Sequence, residues 1–200
     1  MQLPELLQPL ARAMVAVERL FETSGQPGII IGGIAVCLSA EPRNTVDVDA
    51  SILLAGSSEP AILAAARTVG MEPRISDAEE FARKKNLFLL THVETGRDID
   101  LSLAILPFEE DAIRTCHRVN LGDFEVHLPT VEHLTVMKAV AARPDDLADI
   151  RRVLRANPDL DRTQVRRWTK EFAAALDAPE LLDQLDAILK ANPKGRRRRR

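Results

Sequence analysis

The chain is poor in the residues that would support several common architectures. Its two cysteines, Cys37 and Cys116, lie far apart and form no CxxC pair, which argues against a disulfide framework or a cysteine zinc site and predicts buried free thiols. No apolar run approaches the roughly 18 residues that span a bilayer. The start, MQLPELLQPL, lacks the basic segment and long apolar stretch of a signal peptide, so the expected location is the cytoplasm. His92, His117, His127 and His133 are scattered without HxxxH spacing, so a histidine metal site is not expected. There is no GxSxG nucleophile elbow, and Gly32 and Gly33 are not followed by GK[ST], which sets aside a P-loop.

What is present suffices for a folded core: 46% of the 200 residues are hydrophobic and 28% charged. The formal charge of -3 hides an asymmetry. Residues 194–200 carry 6 of the 27 basic residues, and without them 21 face 30 acidic ones, a formal -9. Such a body is not a general polyanion binder. The arginine run in 194–200 reads either as an RNA-binding arm or as an appended sequence.

The periodicity predicts an α/β (α+β) fold in which a small mixed sheet with helices precedes a C-terminal helical region. Leu6, Leu7, Leu10, Met14, Val17 and Leu20 place an amphipathic helix over 3–21. GIIIGGIAVCLSA reads as strand, glycine turn and buried helix, 45–54 as a strand, and SSEPAILAAARTVG as a helix. Strands are expected over 86–93 and 97–106 around a Glu94-Thr95-Gly96 turn, with a last short one over 124–128. Helices follow over 130–142, 145–156, 161–176 and 179–191. The expected division is an α/β core at 1–128, a helical region at 129–193 and the basic tail at 194–200.

The richest stretch joins Gly32 and Gly33 to Arg43, Thr45, Asp47 and Asp49, with a second acidic pair at Asp98 and Asp100. On a strand, Asp47 and Asp49 share a face with Cα atoms roughly 6.5–7 Å apart. Asp98 and Asp100 share one likewise, and adjacent strands would gather up to four carboxylates. Their repulsion calls for a divalent cation or for shifted protonation, and hard oxygen ligands suit magnesium. Glycines let backbone approach a phosphate at a helix start. A metal pair about 3.5–4 Å apart beside such an anion cradle suits in-line phosphoryl chemistry.

IGGIAVCLSAEPRNTVDVDASI resembles the signature of the polymerase-beta-like nucleotidyltransferase superfamily. With LPTVEHLTVMKAVAARPDDLADIRRVL, the stretch 28–154 is similar to its AbiE-type branch, which includes toxins of bacterial toxin–antitoxin pairs. The resemblance implies that Asp47 and Asp49 hold two magnesium ions, or manganese. It also implies that Asp100, flanked by Ile99 and Leu101, completes the metal site and assists deprotonation, a role Asp98 fits less well. Gly32, Gly33, Arg43 and Thr45 would bind the nucleotide. The segment with Lys138, Arg143, Asp146 and Asp149 matches the family's lysine, arginine and spaced aspartates, which makes Lys138 a catalytic and triphosphate-neutralising charge. Asp149 would orient it or act in the site, and Asp146 would cap or solvate a turn. Asp145 stands where the family often has a basic residue.

Leu134, Met137 and Val140 are expected to pack inward and leave Lys138 near the edge of that face. The implied reaction transfers a nucleoside monophosphate from an NTP to an acceptor hydroxyl. The toxin branch implies RNA, particularly a tRNA end, or a protein as acceptor, and a cognate antitoxin as partner. The alternatives are nucleotidylation of a small molecule such as an antibiotic, or a non-catalytic binding protein of the same fold. The basic residues from Arg151 to Lys170 form either an RNA cradle or solvated faces around a packed Trp168. Stacking on a base can come only from few rings, Phe88, Phe108 or Trp168 among them.

Overall fold

A computed structural model describes residues 1–193 and divides the chain into two compact units. The first comprises Met1–Cys37 and Pro42–Thr130, and the second comprises Leu38–Glu41 and the chain from Val131 onward. The arginine run falls outside the described residues.

The first unit opens with a 3-10 turn, Glu5–Leu10, before helix α1, Ala11–Ser24. The single helix expected over 3–21 is therefore divided. Pro9 lies inside the turn and has no amide to give to a continuous α-helical ladder. Helix α1 buries Met14, Val17, Leu20 and Phe21. Strand β1, Gly28–Ile30, follows, and a Cβ at Gly28 would lie 2.2 Å from the Phe21 ring, so only glycine admits this close approach of backbone to aromatic ring.

The sheet has five strands in the order β1-β2-β5-β4-β3, with β2 (Val48–Leu53), β3 (Met71–Pro73), β4 (Leu87–His92) and β5 (Arg97–Ala104). Only β2 and β5 run parallel; the remaining pairs are antiparallel, so the sheet is mixed as expected. Alternation sets its two faces. Val48, Ala50 and Ile52 of β2 and Ile99 and Leu101 of β5 are fully buried on one face, while Asp49 and Asp100 point from the other. Helices α2 (Gly32–Ser39), α3 (Glu59–Thr68), α4 (Ala78–Lys85) and α5 (Pro107–Arg114) fill the connections. A separate two-stranded ribbon pairs β6, His117–Asn120, with β7, Glu125–Leu128. The last predicted strand thus belongs to its own hairpin rather than to the main sheet.

The second unit is helical: α6 (Val131–Ala141), α7 (Pro144–Ala156), α8 (Arg162–Ala175) and α9 (Glu180–Ala191). Pro144 begins α7 instead of separating helices, because a first-turn residue needs no amide donor. Asp161 caps α8 by accepting from the Thr163 and Gln164 amides at 2.9 and 3.2 Å. Helix α6 packs against α7, α8 and α9 and is buried almost all round. The expected inward stripe is corrected here. Leu134 is buried, but Met137 and Val140 are only half-buried, whereas Lys138 is buried at 6% exposure. Among the described residues no helix is long and apolar enough to cross a membrane.

Candidate functional site

The glycine turn and the paired aspartates meet at the end of β1. The Ile31 amide donates to the Asp49 carbonyl at 2.9 Å, which carries β1–β2 pairing up to the residue before α2. Gly32 then adopts φ +62°, a left-handed conformation that strains any residue with a Cβ. A Cβ there would also lie 1.8 Å from Asp49 Oδ2, and one at Gly33 would lie 2.4 Å from Thr45 Oγ1 and 3.3 Å from Arg43 Nη2. The two missing side chains thus make room for the Asp49 carboxylate and for Thr45 against the start of α2. The opening amides of that helix have no intrahelical partners and form a region of positive potential.

Asp47 sits just before β2 and accepts from Thr45 Oγ1 at 3.2 Å. Asp49 and Asp100 are direct partners in the parallel β2–β5 ladder, so the backbone brings these two carboxylates side by side on one sheet face. Asp98 lies two residues earlier on the same face and accepts from Thr91 Oγ1 at 3.1 Å.

Arg74, a residue absent from the sequence-level site, changes the charge balance. Its Nη1 donates to Asp98 at 3.0 Å and its Nη2 pairs with Asp100. The Arg74 amide donates to the Leu89 carbonyl at 2.9 Å, extending β3–β4 pairing by one residue, and Leu89 in turn faces Asp100 across β4–β5. Arg74, Leu89, Asp100 and Asp49 therefore form one row across four strands. The expected compensation of the acidic pair at Asp98 and Asp100 comes from a guanidinium within the chain. No motif announces Arg74, since its relation to Asp100 follows from two strand registers.

The donor set of Asp47, Asp49 and Asp100 is all carboxylate and half-buried, chemistry that fits a hard divalent cation. Among the described residues, no three acidic, histidine or cysteine side chains are gathered as a ready-made metal cage. The pairing of Asp100 with Arg74 is consistent with that arrangement.

Lys138 belongs to the helical unit and lies in a buried ionic network. Its Nζ reaches Asp146 Oδ1 at 2.8 Å and Asp149 Oδ2 at 3.2 Å. Arg143 Nε donates to Asp146 Oδ2 at 2.6 Å, and Arg152 Nη1 donates to Asp149 Oδ1 at 3.0 Å. Asp149 is an ion-pair partner of Lys138, one of the two roles considered for it. Asp146 is a correction: it is 1% exposed and holds Lys138 more closely than Asp149 does, rather than solvating a turn. Burial pushes the Asp146 carboxyl up, but hydrogen bonds from Arg143 and Lys138 outweigh it and hold the group below the usual carboxylate range.

The basic residues of α7 and α8 are largely engaged within their own unit. Arg155 faces Glu41 at 3.8 Å, Arg166 holds Asp186 through two bonds of 2.6 and 2.8 Å, and Arg162 donates to the carbonyls of Leu189 and Asn192. Arg167 lies over the half-buried Trp168 ring, 5.3 Å from its centroid. Phe88 and Phe108 are 0% and 4% exposed and serve the core, which removes them as base-stacking surfaces. Cys37 is buried, while Cys116 is half-buried with its thiol pushed up by burial. A cavity of about 630 Å³, lined by Arg12, Arg19, His92 and Glu94 among others, lies on the sheet face opposite the aspartates, since His92 alternates with Thr91 on β4.

No protein-family model and no curated protein matches the chain. Solved structures do. An antigenic nucleotidyltransferase-like protein from Paracoccidioides brasiliensis is 15% identical with a TM-score of 0.56, the match covering 90% of this chain and 94% of that one. The solution structure of the antibiotic-resistance factor ANT(2'')-Ia is 15% identical with a TM-score of 0.54, covering 85% and 96%. JHP933 from Helicobacter pylori is 11% identical with a TM-score of 0.50, covering 97% and 84%. The chain shares its fold with these structures. These likenesses establish the fold and do not single out the AbiE-type branch.

Proposed function

We propose that the protein is a divalent-cation-dependent nucleotidyltransferase that moves a nucleoside monophosphate from an NTP to the hydroxyl of a small, cationic acceptor. The observation that carries the reading is the Asp49–Asp100 ladder pair, with Asp47 two residues away, set against a glycine-started helix on this fold. Asp47, Asp49 and Asp100 are assigned to magnesium or manganese, which would supply Lewis-acid stabilisation of charge on the phosphate oxygens. Asp100 accepts the acceptor's hydroxyl proton. The hydroxyl oxygen bonds to the α-phosphorus as the bond to the bridging oxygen breaks, and pyrophosphate leaves with that electron pair. Gly32 and Gly33 keep the backbone open to phosphate, with Arg43 and Thr45 beside them. Lys138 donates to Asp146 and is ion-paired with Asp149, and a remaining N–H donor is assigned to a phosphate oxygen.

The charge distribution supports the choice of acceptor. Apart from 194–200 the chain carries a formal -9, and most of the arginines that would form an RNA cradle are engaged by carboxylates and carbonyls of their own unit. An acidic body steers cations and repels polyanions. A second reading, transfer to an RNA end or a protein by a toxin with a cognate antitoxin, is favoured by the motif strings over 28–154. Pyrophosphate release with each NTP, measured with a panel of polyamine-type and aminoglycoside acceptors and separately with total RNA and protein extract, discriminates them. Release that depends on a cationic small molecule supports the proposal. Release that depends only on RNA or protein replaces it with the second reading, and no release with any acceptor overturns both.

A further inference from the structure

Resting on the metal site proposed above, we infer that Arg74 is a tethered counter-cation that competes with a divalent cation for Asp100. Loading of the site then requires the guanidinium to turn away from that carboxylate. Three observations carry this. Arg74 spans Asp98 and Asp100 with separate nitrogens, a planar fork that two carboxylates on one strand face can engage together. Its position is fixed by the backbone, because its amide is anchored to Leu89 and Leu89 faces Asp100. The carboxylate it holds is the direct ladder partner of Asp49, so the guanidinium contacts one member of the proposed metal-binding pair.

Electrostatics make the two occupants antagonistic. A guanidinium and a divalent ion compete for the same carboxylate oxygens, and giving up one charge-assisted hydrogen bond to admit the ion weakens its binding about tenfold. The Arg74 side chain is 29% exposed and those of Asp98 and Asp100 are 49% and 38% exposed, so the exchange happens where water can solvate the departing group. Asp98 remains as a resting partner for the guanidinium once Asp100 has been released. Arg74 is thus a positioning residue that acts through Asp100. It sets how many carboxylates the site offers at a given cation concentration.

The test is direct titration of the full chain with Mn²⁺, followed by the electron paramagnetic resonance signal of the free ion, without nucleotide. Wild type, Arg74→Met, Arg74→Lys, Asp100→Asn, Arg74→Met with Asp100→Asn, and Asp49→Asn are compared. The inference predicts about tenfold tighter Mn²⁺ binding in Arg74→Met, since the bond to Asp100 no longer has to be broken. The gain should fall below about twofold when Asp100 is already Asn, because coupling of this kind vanishes with its partner. Arg74→Lys, which keeps the charge but loses the fork, should show an intermediate gain and carries the test if Arg74→Met fails to fold. An unchanged affinity in both Arg74 variants, with binding still abolished by Asp49→Asn, overturns the inference and leaves the metal site standing. A gain that persists with Asp100→Asn also overturns it, as a general charge effect. Mn²⁺ binding that ignores Asp49→Asn, or no binding by any variant, overturns the proposed metal site and the inference with it.

Discussion

Replacing Lys138 by Met removes the cation at the centre of the buried network while filling nearly the same volume. One charge-assisted hydrogen bond, of 2.8 Å to Asp146, and an ion pair of 3.2 Å to Asp149 disappear. Bonds of this kind contribute about 1.5–3 kcal/mol each. Neither carboxylate is stranded, however, since Asp146 keeps Arg143 and Asp149 keeps Arg152. The cost should therefore fall short of the ~3–5 kcal/mol seen when a buried charge loses its only partner. The expected destabilisation is about 2–3 kcal/mol at neutral pH. Trp168, the single tryptophan, lies on α8 of the same unit, so its fluorescence during urea unfolding reports on the affected helices. The pH dependence follows from the direction of the Asp146 shift. Its carboxyl is held below the ordinary 3.8, so the stabilisation is present above that value and is lost as pH falls through the lower folded-state value. The difference between variant and wild type should persist at about pH 5 and shrink only in stronger acid. A variant within about 0.5 kcal/mol of wild type at neutral pH would refute the assignment of Lys138 to a stabilising buried network.

Other perturbations reach separate parts of the structure. Gly32→Ala should cost about 1–2 kcal/mol for its left-handed backbone and displace the Asp49 carboxylate, so cation binding should drop further than thermal stability does. Parallel calorimetric titration and thermal melts check this, and equal affinity would contradict the close packing of Asp49 on Gly32. Asp161→Ala removes the cap of α8 and should lower stability by about 1 kcal/mol, read from the same tryptophan signal. Burial, and then the nearby charge of Arg12, lower the His92 pKa from its ordinary 6.5. The unfolded chain therefore binds the proton more readily, and stability should fall as pH drops through 6.5 toward the lower folded-state value. His92→Gln should reduce the loss between about pH 8 and about pH 5, and an unchanged pH slope would remove His92 as its source.

Much of this architecture is visible in the one-dimensional pattern, for identifiable reasons. The segments 130–142 and 145–156 carry helical periodicity over three turns or more, and GIIIGG switches from β-branched residues to glycine where β1 gives way to α2. Alternation around Asp49 and Asp100 fixes which face each uses, and ladder register then places them together. Helices α4 and α5 and strands β3 and β6 span only three to eight residues, too few for a period to emerge. Arg74 is illegible because its role depends on β3, β4 and β5 being in register at once. Asp146 looks like an ordinary first-turn acid of α7, and only the packing of that turn in the unit reveals its burial.

The most direct test of the central claim follows the fate of each phosphate. The protein is incubated with divalent cation, a cationic acceptor panel and NTP labelled at either the α- or the γ-phosphate, alongside Asp49→Asn. The account predicts label on the acceptor from the α-position only, γ-label released as pyrophosphate, and neither event in the variant. Transfer of γ-label, or α-label transfer that survives Asp49→Asn, would contradict it.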